Sequence, residues 1–520
     1  MAASQGGAGL SSDTFKPTVF FGAISLIGAL ILFAVLDAGA AGRSFDAVQG
    51  YATHNFGWLL VLTANILLVL CGWLAFSRCG DVRLGGPDAE PDYSRATWFA
   101  MLFSAGMGIG LLFYGVAEPV MHFSNPPTTA FSTPGALQPQ GLAGNAQHAM
   151  GLTFLHWGLH AWAIYAMIGL GLAYVAYNRG MTLSIGSFLT AAFPRMPALL
   201  VDAIDVLAIT ATVCGVAASL GFGASQINAG LDLLAGIEQS GVSQGIIIVV
   251  ITALATLSVA LGLDKGIRRL SEMNMGLAVA LALFVFIAGP TVFLLDAFVQ
   301  NIGYYMQRFL YLSTWTETYV TEDWQSAWTI FYYAWWISWS PFVGIFIARV
   351  SYGRTVREFL AGVLLVPTLF TFLWMTVFGD SALYIELFGD GGLSEAVNAS
   401  MPDALFAFLG HYPFSQIASG LAIVIVATFF VTSADSGALV TAMIASGGHH
   451  HAGFLPRVTW AIAIGLLAGV LLWSGGIGAL QTAAIVTGLP FALVLLALAF
   501  GLLRMLGDAE PGLKRTRRGT

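Results

Sequence analysis

Apolar residues gather into twelve runs of about 20 residues or more, the length that crosses a bilayer as an α-helix. They lie at 18–40, 57–76, 96–117, 146–176, 200–232, 243–263, 272–296, 324–348, 358–378, 413–445, 456–474 and 480–503. Backbone in lipid must satisfy its own hydrogen bonds, so the pattern predicts an all-α integral membrane protein with twelve transmembrane helices. Two runs carry interruptions. The one at 324–348 is crowded with rings and broken at Pro341, which offers no N–H to the Ile337 carbonyl and pushes Ser340 out of helical geometry. The one at 96–117 holds glycines at 106, 108, 110 and 115. Their spacing puts glycines on opposing faces and favours local unwinding, although a close-packing surface would use them too.

Composition agrees with this reading. Of 520 residues, 57% are hydrophobic and only 9% charged, and the mean hydropathy is +0.81, far outside the range of soluble domains. The opening stretch MAASQGGAGLSSDTFKPT has neither a basic n-region nor a cleavage site, so the first run is expected to stay as a helix after a disordered tail at 1–17. Cys71, Cys79 and Cys214 lack metal-ligand spacing, and no disulfide framework is expected. The net charge of −7 hides an asymmetry: threading twelve crossings puts 18 of the 20 Lys and Arg residues on one side, leaving Arg43 and Arg308 opposite. By the positive-inside rule both termini are cytoplasmic, in a bacterial-type inner membrane.

Candidate chemistry lies inside the membrane. On the eighth helix Trp328, Tyr332, Trp335, Trp339 and Phe346 share one side, with Trp336 about 100° from Trp335. A lipid-interface aromatic belt would look similar, but these rings spread over several turns. On the fourth helix Trp157, Trp162 and Tyr165 flank a hollow of small residues formed by Ala161, Gly158 and Gly169. Such hollows bind trimethylammonium groups by cation–π attraction, worth about 0.5–2 kcal/mol per ring; packing against neighbouring helices is the other use for the same rings. His156 and His160 read as hydrogen-bonded packing residues, with no third metal-type ligand nearby. Asp202 and Asp205 on the fifth helix are expected to pair with neighbouring Arg residues, and Thr212 either bonds its own backbone or offers oxygen to an ion. On the tenth helix Thr432, Ser433, Asp435 and Ser436 form a costly polar cluster that reads as an oxygen-rich cation site or as the cap of a broken helix. Between the seventh and eighth helices, Asn301 to Thr316 is expected to lie on the outer surface as an amphipathic helix.

Three motifs, GMGIGLLFYG at 106–115, HWGLHAW at 156–162 and WTIFYYAWWISWSPFVGIFIARVS at 328–351, resemble those of the betaine/choline/carnitine transporter family over nearly the whole chain. The resemblance implies a leucine-transporter-like 5+5 inverted repeat of helices 3–7 and 8–12, alternating access and a homotrimer in lipid. It implies an aromatic box of Trp157, Trp162, Tyr165 and Trp336 around a quaternary ammonium, with Phe331, Trp335 and Trp339 along the inward path. Backbone N–H groups at Gly106, Gly108 and Gly110 would hold a carboxylate, and a sodium ion would sit at Ser104, Met107, Phe429, Thr432 and Ser433. A second sodium site would use Thr212 and Phe342, but Val216 stands where betaine-type members carry another threonine. Choline-transporting relatives tend to carry an acid where this chain has Gly110, which points to a zwitterion such as glycine betaine.

The expected protein is therefore a sodium-coupled importer of a betaine-type osmolyte, not an enzyme, with sodium as coupling ion, no cofactor and no nucleic-acid partner. Proton-coupled choline transport, sodium-independent carnitine or betaine transport, and uptake of dimethylsulfoniopropionate or ectoine remain alternatives. One transporter domain is expected at 18–504, with helices one and two at 18–76, repeats at 96–296 and 324–503, an outer segment at 297–323 and a basic cytoplasmic tail at 505–520.

Overall fold

The computed structural model describes residues 16–106, 108–127, 141–261, 264–319, 323–449 and 453–516, with backbone alone at 103–106, 260–261, 264–268 and 508–516. Residues 1–15, Met107, the histidines at 450 and 451 and the last four residues lie outside the described residues. The helices are α1 Pro17–Leu36, α2 Ala38–Phe76, α3 Arg95–Gly106, α4 Ile109–Ser124, α5 Leu142–Trp157, α6 Leu159–Arg179, α7 Ile185–Ala192, α8 Ala198–Ala235, α9 Gly241–Leu261 and α10 Asp264–Ala288. They continue with α11 Thr291–Thr314, α12 Trp324–Ala327, α13 Thr329–Arg349, α14 Val356–Met375, α15 Ser381–Phe388, α16 Leu393–Ala399, α17 Ala404–Gly410, α18 Ser415–Ala445 and α19 Phe454–Thr516. Among the described residues there is no strand, only an isolated bridge between Arg83 and Thr355.

Ten helices are long and apolar enough to span a membrane among the described residues. Two places account for the difference from the twelve runs. The third run is split between α3 and α4, neither long enough alone, because Gly108 holds extended backbone between them. The last two runs join in α19, whose helical geometry fails at Gly475 and Gly476.

Breaks follow local chemistry. Asp37 caps α2 by accepting from the Ala40 N–H at 2.8 Å, so the first two helices meet at one residue. The run expected at 272–296 stops at Ala288, since Gly289-Pro290 ends α10. α11 then takes up the stretch expected on the surface, and it is anchored: Asn301, Tyr304 and Tyr305 are buried, with Tyr305 edge-on to Phe372 at 5.1 Å. The fourth run, expected to be continuous, breaks at Gly158 between α5 and α6. A Cβ there would run into the Phe154 carbonyl and come within 3.0 Å of the Phe372 ring.

The interruption expected at Pro341 is absent. α13 runs unbroken from Thr329 to Arg349, because the Ser340 hydroxyl donates to the Ile337 carbonyl at 2.7 Å and supplies the bond that proline cannot. The break in this run lies instead at Trp328, between α12 and α13. α18 is also continuous through Ser433 and Asp435, so neither caps a broken helix.

α6 and α13 form the centre. In the span Leu142–Arg179, 89% of the most apolar window is buried, and in Trp324–Arg349 83%, against 22% for α1 and for Gly241–Val259, whose apolar faces point outward. The two central helices cross where glycines meet: a Cβ on Gly169 would lie 3.3 Å from the Gly344 carbonyl oxygen. Gly169 therefore serves this crossing and does not open a hollow.

At the end of α8, Asp202 and Asp205 pair with Lys16 at 3.5 and 3.0 Å, not with arginine, and Asp205 also accepts from the Gly186 N–H at 2.8 Å. Burial works against the Lys16 ammonium, but the two carboxylates outweigh it and raise its pKa. The basic loop after α13 is tied down as well, by Arg354 to Glu358 at 2.8 Å and Arg357 to Asp81 at 2.6 Å.

α19 meets α13 through Gly488, where a Cβ would lie 3.0 Å from the backbone Cα and C of Ala334 and closer still to its carbonyl oxygen. Backbone cannot rotate aside as a side chain can. Gly488→Ala should lower stability by about 1–3 kcal/mol, seen as a lower melting midpoint of detergent-purified protein. A variant melting with the wild type would show that α13 shifts freely.

Candidate substrate site

The break between α3 and α4, the break between α5 and α6, and the rings of α13 face one cavity. Gly108, Ile109 and Gly110 line it from α4, Trp157 from α5, Ala161, Trp162 and Tyr165 from α6, and Trp335, Trp336, Trp339 and Val343 from α13, with Ser219 and Thr371 completing the wall. The cavity is small, with a volume of about 60 Å³. No lining residue is charged. Of the expected box, Trp157, Trp162, Tyr165 and Trp336 thus come together, and Gly108 and Gly110 join them. Trp335 and Trp339, expected along an inward path, line the same cavity. Phe331 is buried behind it, stacked on Trp335 at 5.4 Å.

The rings are held by their edges. Trp157 meets Trp336 edge to face at 4.9 Å, Trp335 and Trp336 stack at 4.8 Å, and Trp162 meets Tyr165 at 5.5 Å. Trp157 and Trp336 are so close that no space is left between their rings. Three indole N–H groups are engaged away from the cavity: Trp157 with Glu118 at 2.7 Å, Trp336 with the His156 carbonyl at 2.9 Å and Trp335 with the Gly215 carbonyl at 3.3 Å. Aromatic faces are left to line the space. Gly110 is required by this closure, because a Cβ there would approach the Trp157 and Trp335 rings to 2.9 Å each.

Sequence reasoning missed Glu118. It is fully buried on α4 and accepts from four side chains. Its Oε1 faces His156 Nδ1 at 2.6 Å and His122 Nε2 at 3.3 Å; its Oε2 accepts from Trp157 Nε1 and from the Tyr332 hydroxyl. His156 uses its other nitrogen with the Thr329 hydroxyl at 2.9 Å. The expectation that His156 has no metal-type neighbours is therefore corrected: Glu118, His122 and His156 bring three possible ligand atoms within 4.8 Å of one another. Hydrogen bonds already join all three. The signal that could have found Glu118 was that apolar residues resume beyond it at Val120, Met121 and Phe123, which puts an ionisable residue within an apolar helix and not at its end.

The expected sodium ligands are only partly described. Met107 lies outside the described residues, and Ser104 and Gly106 belong to the last turn of α3, where backbone alone is described. On α18 the Thr432 hydroxyl turns back to the Thr428 and Phe429 carbonyls at 3.0 and 3.2 Å, leaving its lone pairs for another partner, and Ser433 is half-buried. Thr212 likewise bonds its own helix, at the Ala208 carbonyl at 2.8 Å, while Phe342 packs edge-on to Trp339 at 5.3 Å.

Comparison with known proteins adds the wider context. The profile of betaine/carnitine/choline family transporters matches residues 18–511. A glycine betaine transporter of Acinetobacter baylyi is 43% identical over 497 residues, covering 94% of this chain and 73% of that protein. One from Bacillus subtilis is 41% identical over 505 residues, 96% of each chain. A glycine betaine/proline/choline transporter of Vibrio parahaemolyticus is 44% identical over 485 residues, 90% of this chain and 86% of that one.

Glu118→Ala would leave the Trp157 indole N–H, the Tyr332 O–H, His156 Nδ1 and His122 Nε2 without their buried acceptor. The expected loss is at least about 3 kcal/mol, read as a melting midpoint well below wild type in the same detergent. Equal melting would show that the carboxylate carries no structural role.

Proposed function

The chain belongs to the betaine/carnitine/choline transporter family and is a transporter, not an enzyme; from that premise we propose that it imports glycine betaine by sodium symport. The reading rests on one observation above all: Trp157, Trp162, Tyr165 and Trp336 line one uncharged cavity beside the first residues of α4. Aromatic faces attract a trimethylammonium group. The first residues of α4 offer backbone N–H groups and the positive end of a helix dipole to a carboxylate. A zwitterion with both groups fits a wall that carries no countercharge for either.

In this account α4 and α13 act as the corresponding helices of two inverted five-helix repeats within twelve crossings, and the repeats rock about the cavity. Sodium binds between the end of α3 and the Phe429, Thr432 and Ser433 stretch of α18, so that ion and solute each raise the other's affinity. The excess of basic residues puts both termini on the cytoplasmic side of the inner membrane. The exposed apolar faces of α1, α9 and α10 meet lipid or neighbouring copies in a homotrimer.

Uptake of radiolabelled glycine betaine into proteoliposomes tests the proposal. An inward sodium gradient should drive saturable uptake, potassium should not replace it, and Trp336→Ala should reduce uptake at least about tenfold. Uptake indifferent to sodium would contradict symport, and transport of no quaternary-ammonium solute would contradict the substrate class.

A further inference from the structure

Glu118 sets three helices in register by accepting hydrogen bonds, a role that an uncharged acceptor of the same shape could also fill. Four donors converge on it, yet among the described residues it pairs with no lysine or arginine; its only basic neighbours are His122 and His156. His156 uses both ring nitrogens, Nδ1 towards the carboxylate and Nε2 towards the Thr329 hydroxyl. Its two oxygens point different ways. Oε1 faces the imidazoles, while Oε2 faces Trp157, which lines the cavity, and Tyr332, which stacks on Trp336 at 5.7 Å.

We propose that Glu118 is an electrostatic positioning residue for the cation: through its hydrogen bonds to Trp157 and Tyr332 it enriches the ring faces with negative charge, so that the cavity prefers a cationic head group over a neutral one of the same shape. The inference rests on the transport reading above. Two effects act together. A donor whose hydrogen goes to a carboxylate returns electron density to its own ring, and the quadrupole that attracts a cation grows with it. The carboxylate also acts directly through its buried surroundings, where charges are poorly screened. It does not touch the solute, since the rings stand between. An acid in the cavity itself would meet the solute carboxylate as well as its ammonium, and a carboxylate behind the box rings avoids that contact.

Glutamine is the variant that separates charge from shape. Its amide oxygen can still accept from Trp157 and Tyr332, and its NH₂ can donate to His156 Nδ1 and His122 Nε2 if both imidazoles change tautomer. The Thr329 hydroxyl can then accept from His156 Nε2, so every bond to residue 118 is kept, while the His122 proton moves to Nδ1, which is buried without a hydrogen-bond partner among the described residues.

The test is tryptophan-fluorescence titration of purified wild type and Glu118→Gln with glycine betaine and with 3,3-dimethylbutanoate, in which carbon replaces the ammonium nitrogen. Glu118→Gln should weaken glycine betaine about tenfold and leave the carbon analogue unchanged or bound more tightly. A loss equal for both ligands would show that Glu118 acts only through shape, and no loss for either would show that the charge is irrelevant; either overturns the inference. If Glu118→Gln does not yield folded protein, Tyr332→Phe takes its place, since it removes one hydrogen bond to the carboxylate and keeps the ring. Its ratio of analogue to glycine betaine dissociation constants should then fall by about twofold or more, and an unchanged ratio overturns the inference. A wild type that binds no trimethylammonium solute would instead contradict the proposed function.

Discussion

A carboxylate buried in a membrane protein is tolerable only where its lone pairs are filled, and that requirement shapes the centre of this one. Glu118 on α4 is filled by His156 and Trp157 at the end of α5 and by Tyr332 on α13. Removing any donor would leave a costly polar group in a dry place, so the bonds fix position as well as energy. Three separate helices are thereby set in register. The neighbouring carbonyl of His156 then accepts from Trp336, and the wall rings inherit their orientation from the same cluster.

The breaks in the central helices follow from the same geometry. α4 begins after extended backbone at Gly108, and α6 begins after Gly158, so two helix starts and the aromatic face of α13 share one region. Glycine is needed at 110 because two tryptophan rings close over it, and at 169 and 344 because two backbones cross there. Each glycine removes a side chain where another element must approach. What remains is an uncharged space whose faces are aromatic and whose polar edges come from backbone and from Ser219 and Thr371.

Much of this was legible in the sequence. Apolar runs found the long helices because lipid demands length and hydrophobicity and little else. Ring spacing singled out Trp157, Trp162 and Tyr165, while the family resemblance joined Trp336 to them; the structure brings all four to one cavity across the break at Gly158. Proline misled: Pro341 looked like a break, but Ser340 three residues after Ile337 repairs the missing bond, and such a rescue depends on a rotamer that sequence does not show. The break at Gly158 was hidden for the opposite reason, because a glycine in an apolar run marks close packing as often as a bend. Glu118 went unread beside Pro119, where it resembled a helix end; its four partners come from residues between 4 and 214 positions away, and only the fold brings them together.

The proposed function stands on whether the aromatic cavity framed by Glu118 receives a quaternary ammonium group. An electron cryomicroscopy structure of the protein with sodium and glycine betaine tests it most directly. The account predicts trimethylammonium density against the faces of Trp157, Trp162, Tyr165 and Trp336, within about 6 Å of their ring centroids. Glycine betaine bound elsewhere, with those four rings still packed around an empty cavity, would contradict it.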